Sequence, residues 1–216
     1  MTRLQFRSND ALPFTVLCIG AHSDDIEIGC GATLLYLKAL FPRLRLHWVV
    51  LTATGPRANE ANRGAELFTA GCEKEIVLKE FRDTYLPYSG GEVKEFFDQL
   101  KMQVEPDVIF THWQGDAHQD HRLVSELTAN AFRNHLILEY EIPKYDGDMG
   151  RPNVFVPLEP QQSEMKVHHL LDAFKSQRTK RWFEAETFLG LMRLRGMECN
   201  SASGYAEAFY CRKITL

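Results

Sequence analysis

A chain of 216 residues suits one domain with a full hydrophobic core and leaves little room for a second. A hydrophobic share of 44% and a charged share of 25% are those of an ordinary soluble globular protein. The formal net charge of -4 argues against a nucleic-acid partner, which wants a basic face, and no apolar run approaches the length of a transmembrane segment.

In chain order, apolar patterning predicts a strand over 14–19, a helix over 28–40, a strand over 46–52, a helix over 59–70 and a short strand over 75–78. A helix over 92–104 is stopped by Pro106, a strand over 108–111 follows, then a helix over 123–135 and a strand over 136–140. The stretch 141–160 is richer in Pro and Gly and reads as a long loop with one strand at 154–156. Helices over 161–176 and 179–195 and a closing strand over 208–214 complete the chain. This βαβ rhythm predicts a single α/β domain over 1–216 with a mostly parallel sheet, right-handed crossovers and helices on both faces. The five cysteines (18, 30, 72, 199 and 211) are scattered, with no Cys-x-x-Cys pair, and read as small buried hydrophobes in a reducing compartment. Residues 1–13 lack the apolar stretch of a signal peptide, so the expected location is the cytoplasm.

Two clusters carry chemistry, and each follows a predicted strand. The first is His22-Ser23-Asp24-Asp25, in a strand-to-helix turn, with Glu27 close behind. In open α/β sheets such turns lie at the carboxyl ends of strands, where ligands bind. One His and two Asp offer two metal ligands with one carboxylate to spare, although a short acidic turn before a helix also serves as an N-cap. The second cluster is His118-Gln119-Asp120-His121; its histidines are spaced to point the same way on a helical turn, with Asp120 between them as a supporting partner. Gly29 and Gly31 do not make a dinucleotide fingerprint, since the third glycine is missing and Asp24 and Asp25 would repel a pyrophosphate. They read instead as sites where the helix approaches the sheet closely. Trp113 reads equally as a core anchor or as a wall for a sugar ring.

These residues carry a resemblance. His22-Ser23-Asp24-Asp25 with Glu27 and Gly29, followed by His118-Gln119-Asp120-His121, resembles the paired motifs of the LmbE-like (PIG-L) family of zinc-dependent de-N-acetylases. Arg63 with Glu66, Asp83 after Phe81-Arg82, Pro106-Asp107-Val108-Ile109, Lys166, Ser176-Gln177 and Tyr205-Ala206-Glu207-Ala208-Phe209 fall in the family's order, so the likeness spans nearly the whole chain. Ser23 and Gln119 stand where the family usually has Pro; neither lost Pro carries a reactive atom.

The resemblance implies a Rossmann-like fold and a hydrolase that removes the acetyl group from an N-acetylated amino sugar, such as N-acetylglucosamine, or its glycoconjugate. It implies zinc (Zn2+) held by His22, Asp25 and His121, with Asp24 as general base, His118 as oxyanion partner and Asp120 orienting His118 and favouring its charged form. Arg63 and Asp83 are the implied substrate contacts. Local geometry leans the same way on the two carboxylates: Asp25 is three residues from His22 and can return to its side, leaving Asp24 directed at the open position. Two other readings stand beside this one, a different metallohydrolase such as a phosphoesterase and a catalytically silent sugar-binding member of the fold. A homo-oligomer is compatible with the sequence.

Overall fold

The computed structural model describes residues 5–6 and 12–215; most of the stretch on which a signal peptide was judged absent lies outside them. Strands β1 (Phe14–Gly20), β2 (Leu44–Val50), β3 (Glu73–Leu78), β4 (Val108–His112), β5 (Ile137–Tyr140), β6 (Val154–Leu158) and β7 (Tyr205–Tyr210) form one seven-stranded sheet. Its order is β3-β2-β1-β4-β5-β7-β6. The first five strands run parallel, and β7 is antiparallel to both β5 and β6. The helices are α1 (Asp25–Leu40), α2 (Gly55–Phe68), α3 (Gly90–Gln103), α4 (Gln119–Ala131), α5 (Pro160–Ala173) and α6 (Ala185–Glu198).

Successive β1 side chains alternate between two cores, as the strand's two-residue period requires. Val16 and Cys18 join α1, α2, α5 and α6 on one face, including Phe68, Phe174 and Phe188. Leu17 and Ile19 join α3 and α4 on the other, with Phe97 and Val124. Both faces of the sheet are therefore covered, as a mostly parallel sheet demands. No described helix is long and apolar enough to cross a membrane.

Helix α1 is buried on nearly every side, which fits its apolar composition. Two of its glycines let neighbours approach. A Cβ on Gly29 would lie 2.2–2.9 Å from the Tyr140 side chain of β5, and one on Gly31 would lie 2.5 Å from the Phe68 ring of α2. Gly29 thus meets the sheet as expected, whereas Gly31 makes room for a helix. Further along the same face, the buried Glu207 carboxylate accepts the main-chain N–H groups of Ala32 (3.1 Å) and Thr33 (2.6 Å). Lys166, also buried, donates to Glu207 at 2.6 Å and to the Ile28 carbonyl. These two residues of the family pattern fasten α1 to α5 and β7.

Several boundaries differ from the sequence reading. Helix α2 starts at Gly55 because Pro56 sits in its first turn, where a missing N–H costs nothing, and Gly55 takes the left-handed φ of 53°. The helix expected over 179–195 begins only at Ala185, preceded by a 3-10 turn over Lys175–Thr179 and irregular chain. The closing strand lies at Tyr205–Tyr210, earlier than expected. Most consequentially, α1 begins at Asp25 and α4 at Gln119, so Asp25, Asp120 and His121 lie in the first turns of two helices.

Candidate active site

The sheet order reverses direction between β1 and β4, and both clusters follow the carboxyl ends of these adjacent strands. Open α/β sheets form their ligand crevice at such a switch point. The β1–β4 ladder runs as far as Cys18 opposite Phe110, after which the chains lead to the two turns that carry the histidines.

Three donor atoms from these turns converge. His22 Nδ1 lies 3.1 Å from His121 Nε2 and 3.3 Å from Asp25 Oδ2, and His121 Nε2 lies 3.6 Å from the same Asp25 oxygen. The outer nitrogens of both rings face buried carboxylates. His22 Nε2 is 3.3 Å from Asp120 Oδ2, and His121 Nδ1 is 2.9 Å from Asp116 Oδ2. The second contact is close but poorly aligned, since Nδ1 has no hydrogen-bond partner of good geometry; its short distance and the burial of both groups carry its weight. Carboxylates placed outside in this way put the ring protons on the outer nitrogens and turn the lone pairs inward.

The donor set fits a cation. Donors about 2.0–2.1 Å from a tetrahedral zinc are about 3.3 Å from one another, and the three separations here bracket that spacing. Two nitrogens and a carboxylate oxygen also suit zinc's ligand preference. The groups His22–His118–His121 and Asp25–His112–His121 also bring ligand atoms within 4.8 Å of one another, as does His22–Asp83–Asp120. The last shares His22 with the first, so it supplies no independent second centre. His112 is disqualified as a ligand in its present pose because its Nε2 accepts the Ala21 N–H at 3.0 Å.

The electrostatics follow from this crowding. Burial alone would raise the Asp25 carboxyl, but His121, His112 and His22 pull it well below the usual carboxylate range. Burial opposes the charged form of His22, yet Asp25, Asp120 and Asp83 hold its pKa well above the ordinary imidazole value. A bound metal would have to displace a proton there. His121 is lowered by burial and by His112. Asp83 is lowered, chiefly by its hydrogen bond to His22, whose Nε2 is 3.1 Å from Asp83 Oδ1.

Asp24 is the N-cap residue of α1, but its side chain makes no capping hydrogen bond. It accepts instead from the Arg57 guanidinium at 2.6 Å, so the plain reading of this acidic turn as a cap does not describe it. His118 caps α4, accepting the Asp120 N–H on Nδ1 at 3.2 Å, and its ring meets that of His22 edge-on at 4.7 Å. Asp120 uses its side chain and its main chain differently. Its carboxylate serves His22 and the Leu86 N–H (3.2 Å), and it meets His118 through its main chain. The charged form of His118 is not favoured either: burial and the neighbouring His121 and His22 lower it, outweighing Asp120.

Asp83 joins the cluster, whereas Arg63 does not. Arg63 is exposed on α2 and pairs with Asp172 of α5 at 3.0 Å. Arg57, about two turns earlier on α2, faces Asp24. Arg57, Asp116, His112 and Lys144 are the site residues that sequence reasoning missed. Lys144, from the long loop after β5, lies 3.0 Å from Asp116 and pairs with Asp148, whose carboxylate also accepts the Ala117 N–H at 2.6 Å. The only signal for Asp116 was an acidic residue two before His118. Trp113, just after β4, stacks on Tyr210 at the end of β7 with ring centroids 4.5 Å apart.

Residues 17–132 match the family model described as PIG-L: GlcNAc-PI de-N-acetylase. The chain belongs to the PIG-L family. The uncharacterized deacetylase YaiS of Escherichia coli (strain K12) is 34% identical over 142 residues, covering 59% of this chain and 74% of that protein. The N,N'-diacetylchitobiose deacetylase from Pyrococcus horikoshii superposes with a TM-score of 0.69 at 21% identity, covering 92% of this chain and 83% of that one. GalB of Pseudomonas putida KT2440, a 4-carboxy-2-hydroxymuconate hydratase, superposes with a TM-score of 0.68 at 16% identity, covering 94% and 97%. At such identities the structural likenesses show the fold alone, and a deacetylase and a hydratase share it. The chemistry has to be argued from the site, whose family is that of deacetylases.

Proposed function

We propose that this protein is a zinc-dependent cytoplasmic hydrolase, a single domain over 1–216, that releases acetate from an N-acetylated amino sugar such as N-acetylglucosamine or its glycoconjugate. The observation that carries the reading is the convergence of His22 Nδ1, Asp25 Oδ2 and His121 Nε2 at 3.1–3.6 Å, with the Asp24 carboxylate next in sequence to Asp25 and held by Arg57. His22, Asp25 and His121 would hold the ion. Zinc, when bound, supplies Lewis acidity that polarises the acetamide carbonyl and acidifies water.

The remaining work falls to side chains. Asp24 takes a proton from water as the oxygen–carbon bond to the acetamide carbonyl forms, while Arg57 holds the carboxylate in place. With Nδ1 accepting from the Asp120 main chain, the neutral His118 ring carries its proton on Nε2 and donates it as a hydrogen bond to the developing oxyanion. No full charge on His118 is needed for that. Asp24 then passes its proton to the departing nitrogen as the carbon–nitrogen bond breaks, giving acetate and a free amine. Asp83, with a largely exposed carboxylate beside His22, is positioned to accept hydrogen bonds from sugar hydroxyls.

The test is acetate release from N-acetylglucosamine carrying different C1 substituents, together with metal content per chain. One zinc per chain and acetate release are expected, with both lost in His22→Ala, Asp25→Ala and His121→Ala. Two metals per chain with phosphoester cleavage would replace this reading with a phosphoesterase; full metal occupancy without turnover on the whole panel would leave a binding protein.

A further inference from the structure

His112 is the last residue of β4, fully buried, and has no part in the chemistry derived above. Its ring touches both halves of the site. Nε2 accepts the main-chain N–H of Ala21, the residue that follows β1 and precedes His22. The ring face lies on the His121 ring, with centroids 3.8 Å apart and planes within 16°. Its edge meets Tyr140 at 4.9 Å, and Tyr140 in turn donates to the Ile19 carbonyl at 2.7 Å. The main-chain β1–β4 pairing runs to Cys18 and Phe110, so the Ala21–His112 bond is a side-chain rung beyond the point where the ladder ends.

We propose that His112 is a positioning residue that ties the His22–Asp25 turn to the His121 turn, so that the three metal-ligand atoms are held at binding distances before the ion arrives. This inference rests on the metal reading given above. The physical case is that the ligands come from two strand-to-helix turns that follow different strands, 99 residues apart between His22 and His121. Nothing in the local chain fixes their separation. A side chain bonded to one turn and stacked on the other removes that freedom, and supporting groups of this kind are worth about 10–100-fold in metal affinity. The Nε2 of His112 also lies 3.1 Å from Asp25 Oδ2. The same nitrogen therefore borders both the Ala21 main chain and the Asp25 carboxylate, the two sides of the His22 turn.

The experiment uses the full chain and zinc alone, with affinity measured by chelator competition and fold followed by circular dichroism and metal-free melting. His112→Phe keeps a flat ring against His121 but removes the acceptor for Ala21; His112→Gln restores an acceptor at the reach of Nε2. We expect His112→Phe to lose about 10–100-fold in zinc affinity and His112→Gln to recover most of it. His112→Asn, too short to reach Ala21 yet easily accommodated, should behave like His112→Phe and serves where the latter does not fold. Wild-type affinity in both His112→Phe and His112→Asn would overturn the inference, as would an equal loss in His112→Gln. A wild-type chain that binds no zinc would overturn the metal reading itself, a distinguishable result.

Discussion

Replacing Asp116 with Asn tests whether the site is built to hold a cation. Asp116 is almost fully buried, and its two oxygens have separate duties: Oδ1 accepts the His118 N–H at 2.7 Å, and Oδ2 lies 2.9 Å from His121 Nδ1. Burial opposes its charge, yet His121, His112 and Lys144 hold its carboxyl well below the usual range, the mark of a carboxylate kept ionised for its neighbours. In Asp116→Asn the amide can keep the His118 bond with its oxygen, which turns an NH2 towards His121. Two donors then face each other. The ring is pushed to carry its proton on Nε2, the nitrogen that points at His22 and Asp25. Loss of such outer support costs about 10–100-fold in metal affinity, or about 1.4–2.7 kcal/mol. Lys144 retains Asp148, so the loop keeps one of its anchors. The assay is zinc affinity by chelator competition, with metal-free melting as the control for folding. Unchanged affinity in a folded Asp116→Asn protein would refute the argument that His121 is oriented from outside by this carboxylate.

Asp24→Asn should keep zinc and fold while losing about 10²–10⁴-fold in turnover; zinc loss there with retention in Asp25→Asn would exchange the two roles, and metal content decides it. Arg57→Ala should impair acetate release because it frees the Asp24 side chain, whereas Arg63→Ala should leave kinetics unchanged, as Arg63 bonds Asp172 of α5 away from the cluster; steady-state kinetics of the pair check both. Gly29→Ala should destabilise by about 1–3 kcal/mol, because the new Cβ would meet three Tyr140 carbons, including its Cβ, and Tyr140 is anchored to Ile19; thermal melting that matches wild type would refute it.

Periodicity was enough to read the parallel core, because buried parallel strands are continuous apolar runs and the helices between them repeat at a different period. It misjudged helix starts, since Asp25 and Gln119 are polar first-turn residues that no apolar period marks. Both His/Asp clusters were legible for a local reason: each is a run of His and Asp directly after a strand, and a strand's end is where a parallel sheet offers its ligand edge. What lay beyond the chain's own neighbourhood was decided by the tertiary structure. Which arginine reaches Asp24 depends on how α2 is rotated against α1, and Arg57 and Arg63 differ by more than a turn on that helix. Which carboxylate supports which histidine depends on loop conformation: Asp120, adjacent to His121, turns to His22, while Asp116 turns to His121. The contact of His112 with Ala21 spans 91 residues and exists only because β4 lies beside β1. Residue type and local spacing therefore set which groups were available for chemistry, and strand order and helix phase set which of them meet, because side-chain pairing across a sheet is a property of neighbours in space that have no fixed separation in sequence.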